Sequence, residues 1–137
     1  MSFQYNDGGR KQANYKGEAR DCVVRAIAIA TEKPYQEVYD AINLASSEEK
    51  AGHKSSSRNG VYRSVWEKYL KSLGWNWKPT MLIGQGCKVH LVANELPAGR
   101  IIARVSKHMV AMIDGVINDT HDPSRNGTRC VYGYWRK

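Results

Sequence analysis

One short stretch of this chain is apolar on nearly every side of a helix. It reads Asp21-Cys22-Val23-Val24-Arg25-Ala26-Ile27-Ala28-Ile29-Ala30. Its apolar residues fall on adjacent stripes at three- and four-residue spacing, which predicts an α-helix. A helix with almost no polar face must be surrounded by protein. We therefore expect it at the centre of the fold, with Asp21 as its N-cap.

The rest of the chain divides into helices first and strands afterwards. Two further helices are predicted, from Pro34 to about Ala45 and from about Val61 to Gly74, with Ser46 to Gly60 as a polar loop between them. The first twenty residues read as an irregular lead-in. Five segments have strand character: 75–77, 100–106, 107–113, 116–120 and 129–135. This order favours an α+β fold in which N-terminal helices pack on a C-terminal antiparallel sheet.

Length and charge limit the classes of function. The chain has 137 residues, 42% of them hydrophobic and 25% charged, which is typical of one globular domain covering residues 1–137. A net charge of +8 favours acidic partners, but the basic residues are scattered along the sequence. A solvated surface is therefore favoured over a nucleic-acid-binding face. No segment is apolar over the length of a membrane span.

The cysteines predict a reduced, cytoplasmic protein. There are three, Cys22, Cys87 and Cys130, and the N-terminus has no apolar signal core. Thiols in such a chain are expected to stay reduced. Cys87 and His90 have the spacing of half a zinc site, which Cys130 and His121 could complete. Because a paired motif is missing, reduced structural thiols are favoured there, and we expect neither metal nor cofactor.

A predicted hairpin brings a histidine and a carboxylate together. Asp114-Gly115 lies between two apolar runs, which is typical of a two-residue turn. That turn pairs Ile113 with Val116 and Ala111 with Asn118. The register then sets His108, Val110, Asp119 and His121 on one face, and Asn118 on the other. Asp119 is diagonal to His108 and within side-chain reach.

These residues supply the parts of a thiol nucleophile. Cys22 at a helix start is favoured as a thiolate, because free N–H groups and the positive end of the helix dipole face it. His108 is expected to act as base and then acid, with Asp119 orienting its ring. The backbone N–H of Cys22 and the side-chain amide of Gln12 or Asn14 are candidate oxyanion donors.

The same residues resemble a known superfamily. Asp21-Cys22 at the head of a buried helix, His108 on a strand and Asp119 after a tight hairpin are similar to papain-like cysteine peptidases, including small phage and prophage proteins. The resemblance implies a papain-like fold and hydrolysis or transfer at an amide or thioester bond of a peptide or protein substrate. Cys22, His108 and Asp119 would be its triad. A phage origin would put the protein in the host cytoplasm.

One departure from the papain pattern and two alternative interpretations stay open. Papain has a glutamine six residues before its nucleophile, where this chain has Lys16, so another oxyanion donor must serve or the site is weakened. Cys22, His108 and His121 also match the Cys-His-His arrangement of peptidoglycan hydrolases that start a helix with Asp-Cys. The other interpretation is a non-catalytic module whose basic surface binds nucleic acid or an acidic host protein.

Overall fold

The computed structural model describes residues 3–13, 21–47, 63–82 and 84–137. These residues form three α-helices, one short 3₁₀ helix and six strands. The helices are α1 (Cys22–Thr31), α2 (Tyr35–Ser47) and α3 (Arg63–Ser72), and the 3₁₀ helix is Ala93–Glu95. The strands are β1 (Phe3–Tyr5), β2 (Asn76–Pro79), β3 (Arg100–Val105), β4 (His108–Ile113), β5 (Val116–Asp119) and β6 (Gly133–Arg136). The predicted α+β class is confirmed.

The strands form one mixed sheet in the order β1-β5-β4-β3-β6-β2. All neighbours in it are antiparallel except β1, which runs parallel to β5. The predicted antiparallel pairing holds for β2 to β6, but the whole sheet is mixed because β1 adds a parallel edge. The prediction of an irregular lead-in was wrong for residues 3–5, whereas residues 6–13 contain no helix or strand and residues 14–20 lie outside the described part of the chain. Gln4 pairs with Asn118 across the added edge. Three residues are too few for a period-2 pattern to reveal such a strand.

The two faces of the sheet carry separate apolar cores. Along β4, Met109 and Ala111 pack with the helices, whereas Val110 and Met112 pack on the opposite face. This alternation follows from the two-residue period of a strand. On the helical side, α1 contributes seven buried residues to the core. A helix apolar all round therefore lies inside, as predicted.

Several boundaries differ from the sequence prediction. Ser46 and Ser47 belong to α2 rather than to the predicted loop, whose residues 48–60 lie outside the described part of the chain. Trp75 precedes β2, and β6 is shorter than residues 129–135. In the described residues, no helix combines the length and apolarity that crossing a membrane requires.

Candidate active site at the start of α1

Cys22 is the first residue of α1 and is only partly buried. The first N–H groups of a helix have no intrahelical partner, so they present positive partial charge to a sulfur at this position. Asp21 occupies the N-cap position, but its side chain makes no capping hydrogen bond, contrary to the prediction. Its carboxylate binds other side chains instead, and the helix start is left open beside the thiol.

The β4–β5 hairpin has the predicted register. Ile113 pairs with Val116 and Ala111 with Asn118. Asp114 and Gly115 both have positive φ, +48° and +81°, as a two-residue turn of this hand requires. The hairpin therefore brings the start of β4, where His108 lies, beside the end of β5, where Asp119 lies.

His108 and Asp119 form a short hydrogen bond. Nε2 of His108 lies 2.6 Å from Oδ2 of Asp119, and the two side chains are 11% and 4% exposed. The backbone N–H of Thr120 donates to the other carboxylate oxygen at 2.7 Å. Because Nε2 is engaged by Asp119, Nδ1 is the ring nitrogen left to face a second partner.

The thiol of Cys22 interacts with the His108 ring, as the pKa shifts of both groups indicate. Burial raises the pKa of Cys22, but hydrogen bonds from His108 and from the Met109 backbone, with the charge of His108, outweigh burial and lower it. Burial lowers the pKa of His108, but hydrogen bonds and charges of Asp119 and Cys22 raise it to about 9. Both shifts favour a thiolate beside an imidazolium at neutral pH.

Asp119 is held in its charged form. Burial raises the pKa of its carboxyl, but the His108 hydrogen bond, the Thr120 N–H and the charge of Arg25 together lower it. The Arg25 guanidinium lies 3.6 Å from Asp119. A charged carboxylate behind the ring stabilises the imidazolium and fixes the ring's orientation.

Arg25 also joins Asp119 to a buried carboxylate that the sequence had assigned to capping. Asp21 is 1% exposed and binds Arg25 one turn along α1. It also binds Arg10 at 3.2 Å and accepts a hydrogen bond from the Tyr35 hydroxyl at 2.6 Å. Burial and Asp21 raise the pKa of Tyr35, so its hydroxyl stays protonated and donates. These contacts fix the helix start relative to the sheet.

His121 is the residue that would complete the alternative Cys22-His108-His121 arrangement named from the sequence. Its ring centroid lies 5.3 Å from that of His108, and its side chain is exposed. Ligand atoms of His108, Asp119 and His121 all lie within 4.8 Å of one another, so this group could accept a metal ion. His108 and Asp119 already bind each other, which leaves His121 as an exposed neighbour of that pair.

The suggested oxyanion side chains gain no support. Gln12 is exposed within the turn residues 8–13, and Asn14 and Lys16 lie outside the described residues. The backbone N–H of Cys22, at the first position of α1, is the donor that the fold itself supplies.

Cys87 and Cys130 do not have the reduced state predicted for them. A disulfide joins them across 43 residues, with their Cα atoms 5.8 Å apart, and Cys22 is the free cysteine. His90 pairs with Cys130 in an isolated antiparallel bridge, and this pairing brings residues 87–90 against the segment leading into β6. The sequence analysis named Cys130 as a residue that could complete a zinc site with Cys87 and His90, and the structure brings these three residues together, with the two cysteines joined as a disulfide.

Sequence reasoning missed the ion-pair role of Asp21, which it assigned only to capping, and it missed Arg25 and Arg104. Asp21 and Arg25 have i, i+4 spacing inside an otherwise apolar segment, which is the signal that could have found them. Arg104 pairs with Met109 in the sheet, and its guanidinium lies 5.4 Å over the Trp66 ring. Burial and the charge of Arg63 lower the pKa of Arg104 below its ordinary value, although the charge of Cys22 acts in the opposite direction.

A comparison of the chain with models of protein families, with curated proteins and with solved structures finds no match.

Proposed function

We propose that this protein is a papain-like cysteine hydrolase that cleaves an amide bond of a peptide or protein through a thioester on Cys22. The observation that carries the proposal is the hydrogen-bonded pair of His108 and Asp119, whose ring nitrogen and carboxylate lie 2.6 Å apart. His108 also lowers the pKa of the Cys22 thiol at the helix start.

Each residue has a distinct role in the proposed reaction. The Cys22 thiolate attacks the carbonyl carbon and forms the C–S bond, while the Cys22 backbone N–H binds the developing oxyanion. The His108 imidazolium then gives its proton to the leaving amine as the C–N bond breaks. Water attacks the thioester, His108 takes the proton of that water, and the carboxylic acid product leaves the regenerated thiolate.

The lowered pKa of Cys22 and the raised pKa of His108 support this reaction. A lowered thiol pKa increases the fraction of thiolate that is present before substrate binds, and the thiolate is the form that attacks. The imidazolium is also present when the leaving amine needs a proton. Asp119 supports both states because its charge stabilises the imidazolium.

The order of elements supports the papain-like part of the proposal. A buried helix begins at the nucleophile and packs on the sheet, and the histidine and the carboxylate come from neighbouring strands, β4 and β5. Function resides in such a site rather than in the fold, so the chemistry of Cys22 is what an experiment must address.

The test is acyl transfer to Cys22 from an activated ester. Incubation with p-nitrophenyl acetate should acetylate Cys22 and release one equivalent of nitrophenolate, and intact-mass and peptide mass spectrometry detect the acetyl group. Hydrolysis of the thioester should then let nitrophenolate release continue with turnover. His108→Ala should reduce turnover by about 100-fold or more, because it removes the general acid–base. His90→Ala is the matched control, and its turnover should equal that of the parent. If the parent releases nitrophenolate no faster than Cys22→Ala does, the proposed function is contradicted and a binding module is favoured.

A further inference from the structure

A second group of sulfur, imidazole and carboxylate lies away from α1, around the Cys87–Cys130 disulfide. Nε2 of His90 lies 3.6 Å from Sγ of Cys87, and His90 is the bridge partner of Cys130. One imidazole nitrogen is therefore directed at a pair of joined sulfurs. The side chain of Cys87 is exposed, so reagents and ions in solution can reach the pair.

Glu95 determines which nitrogen of His90 faces the sulfurs. Its Oε1 lies 3.3 Å from Nδ1 of His90 and accepts the His90 backbone N–H at 3.2 Å. Glu95 is the last residue of the 3₁₀ helix Ala93–Glu95, so its backbone is held in regular structure. With Nδ1–H donating to Glu95, the lone pair of Nε2 points to the sulfurs.

We propose that, once the disulfide is reduced, Cys87, His90 and Cys130 bind one Zn²⁺ ion, with Glu95 orienting the histidine. Two thiolates and one imidazole are ligands that zinc prefers, and a water molecule would fill the fourth position. A carboxylate on the second nitrogen of a zinc-binding histidine is the usual outer-shell partner.

The distance between the sulfur of Cys87 and the ring nitrogen of His90 fits tetrahedral zinc. Zn–S bonds of about 2.3 Å and Zn–N bonds of about 2.0–2.1 Å separate sulfur and nitrogen by about 3.6 Å across a tetrahedron. The observed separation of Cys87 Sγ from His90 Nε2 is 3.6 Å. Two thiolates on the same ion lie about 3.8 Å apart, so the sulfurs must separate after reduction, which rotation about the Cα–Cβ bonds allows.

The disulfide and the zinc ion exclude each other. A reductant of the thiol class supplies two electrons and two protons, the S–S bond breaks, and two thiols form while the reductant is oxidised to its own disulfide. Zinc then displaces both thiol protons to form two Zn–S bonds. The site uses none of Cys22, His108 and Asp119, so it does not depend on the proposed hydrolase function.

Cobalt binding tests the proposal with a direct spectroscopic readout. The parent for this test is the full chain with Cys22→Ser, reduced with a phosphine under anaerobic conditions and titrated with Co²⁺. We expect one Co²⁺ per chain, with thiolate-to-cobalt charge-transfer bands and the visible bands of tetrahedral coordination, all removed by one equivalent of Zn²⁺. The same chain with its disulfide intact should give none of these bands.

Matched variants separate this site from the other histidines. His90→Ala should abolish the tetrahedral spectrum, while His121→Ala should keep it. Glu95→Gln should weaken Co²⁺ binding by about 10–100-fold, as loss of an outer-shell partner does. Co²⁺ affinity that is equal in His90→Ala and the parent, or a spectrum without thiolate charge transfer, would overturn the proposal.

A second measurement covers the case in which substituted chains fail to fold. In the unsubstituted reduced protein, one equivalent of Zn²⁺ should slow alkylation of both Cys87 and Cys130 by at least about tenfold, measured by peptide mass spectrometry, because zinc-bound thiolates are shielded. Alkylation rates that Zn²⁺ leaves unchanged would contradict zinc binding by this pair.

Discussion

Two cysteine–histidine–carboxylate groups occur among the described residues, and they differ in burial and in the state of sulfur. In the first, His108 and Asp119 are 11% and 4% exposed and Cys22 is free. In the second, His90 and Glu95 are 38% and 34% exposed and Cys87 is joined to Cys130. The residue types are nearly the same. The chemistry differs because the surroundings of each sulfur differ.

The first group has two features that the second lacks. Cys22 begins a ten-residue helix, so free N–H groups and the helix dipole stabilise its thiolate, whereas Cys87 is in no helix. Asp119 also lies 3.6 Å from the Arg25 guanidinium. In a half-buried site these charges are weakly screened. A histidine and a carboxylate thus activate a thiol most where burial and a helix start support them.

The largest predicted effect concerns the stability given by the second group. A disulfide spanning 43 residues restricts the unfolded chain, and its reduction should lower the free energy of unfolding by about 4 kcal/mol. Denaturant unfolding of the Cys22→Ser chain, with and without a phosphine reductant and in the presence of a chelator, measures the difference. Equal midpoints in the two conditions would show that the cross-link contributes nothing.

The next effect concerns the reactivity of the first group. At pH 5, His108→Ala should slow iodoacetamide alkylation of Cys22 by about tenfold or more. Without the imidazolium the pKa of the Cys22 thiol rises, and the fraction of thiolate at pH 5 falls. The remaining thiolate is more nucleophilic, but this gain is smaller than the loss of thiolate, so the rate decreases. His90→Ala should not change the rate. At pH 9 the rates of the parent and His108→Ala should converge. If His108→Ala reacts at the same rate as the parent at pH 5, His108 does not promote ionisation of the Cys22 thiol.

A smaller effect is expected from the carboxylate. Asp119→Asn keeps an oxygen acceptor but removes the charge, so the pKa of His108 should fall by about one unit or more from its raised value of about 9. A ring-proton NMR titration of His108 measures the shift. Glu95→Gln is the control, and the pKa of His108 should be the same in this variant as in the parent. If the pKa of His108 is the same in Asp119→Asn as in the parent, Asp119 does not stabilise the imidazolium.

The smallest effect concerns the cation near the thiol. Arg104 should favour an anionic reagent, so Arg104→Gln should lower the iodoacetate-to-iodoacetamide rate ratio at Cys22 by about threefold at low salt. Arg63 pairs with Glu67, which makes Arg63→Gln a control with the same charge change. Equal decreases in both variants would mean that net charge alone is responsible.

Local patterns predicted a large part of this fold. The apolar segment at Cys22 could only be an inner helix, and Asp114-Gly115 fixed the hairpin register that brings Asp119 to His108. These features depend on residues close in sequence, with a period of 3.6 or 2 and a turn of known geometry. The α+β class followed from the order of such segments.

The features that the sequence did not predict depend on distant pairings. The parallel edge strand β1, the Cys87–Cys130 disulfide and the contact of Arg10 with Asp21 join segments with no periodic signal in common. Asp21 is the clearest case, because a residue suited to capping instead became a buried ion-pair partner. Capping propensity is local, and the approach of Arg10 and Tyr35 overrides it.

The most direct test of the central claim is the ionisation of Cys22 itself. The ultraviolet absorbance of thiolate, taken as the difference between the parent and Cys22→Ala across pH 4 to 10, follows that ionisation in the disulfide-intact chain. We predict a thiolate that persists well below the ordinary thiol pKa of about 8.5, and whose pKa returns toward that value in His108→Ala. A thiolate that appears only at or above pH 8.5 in the parent would contradict the account.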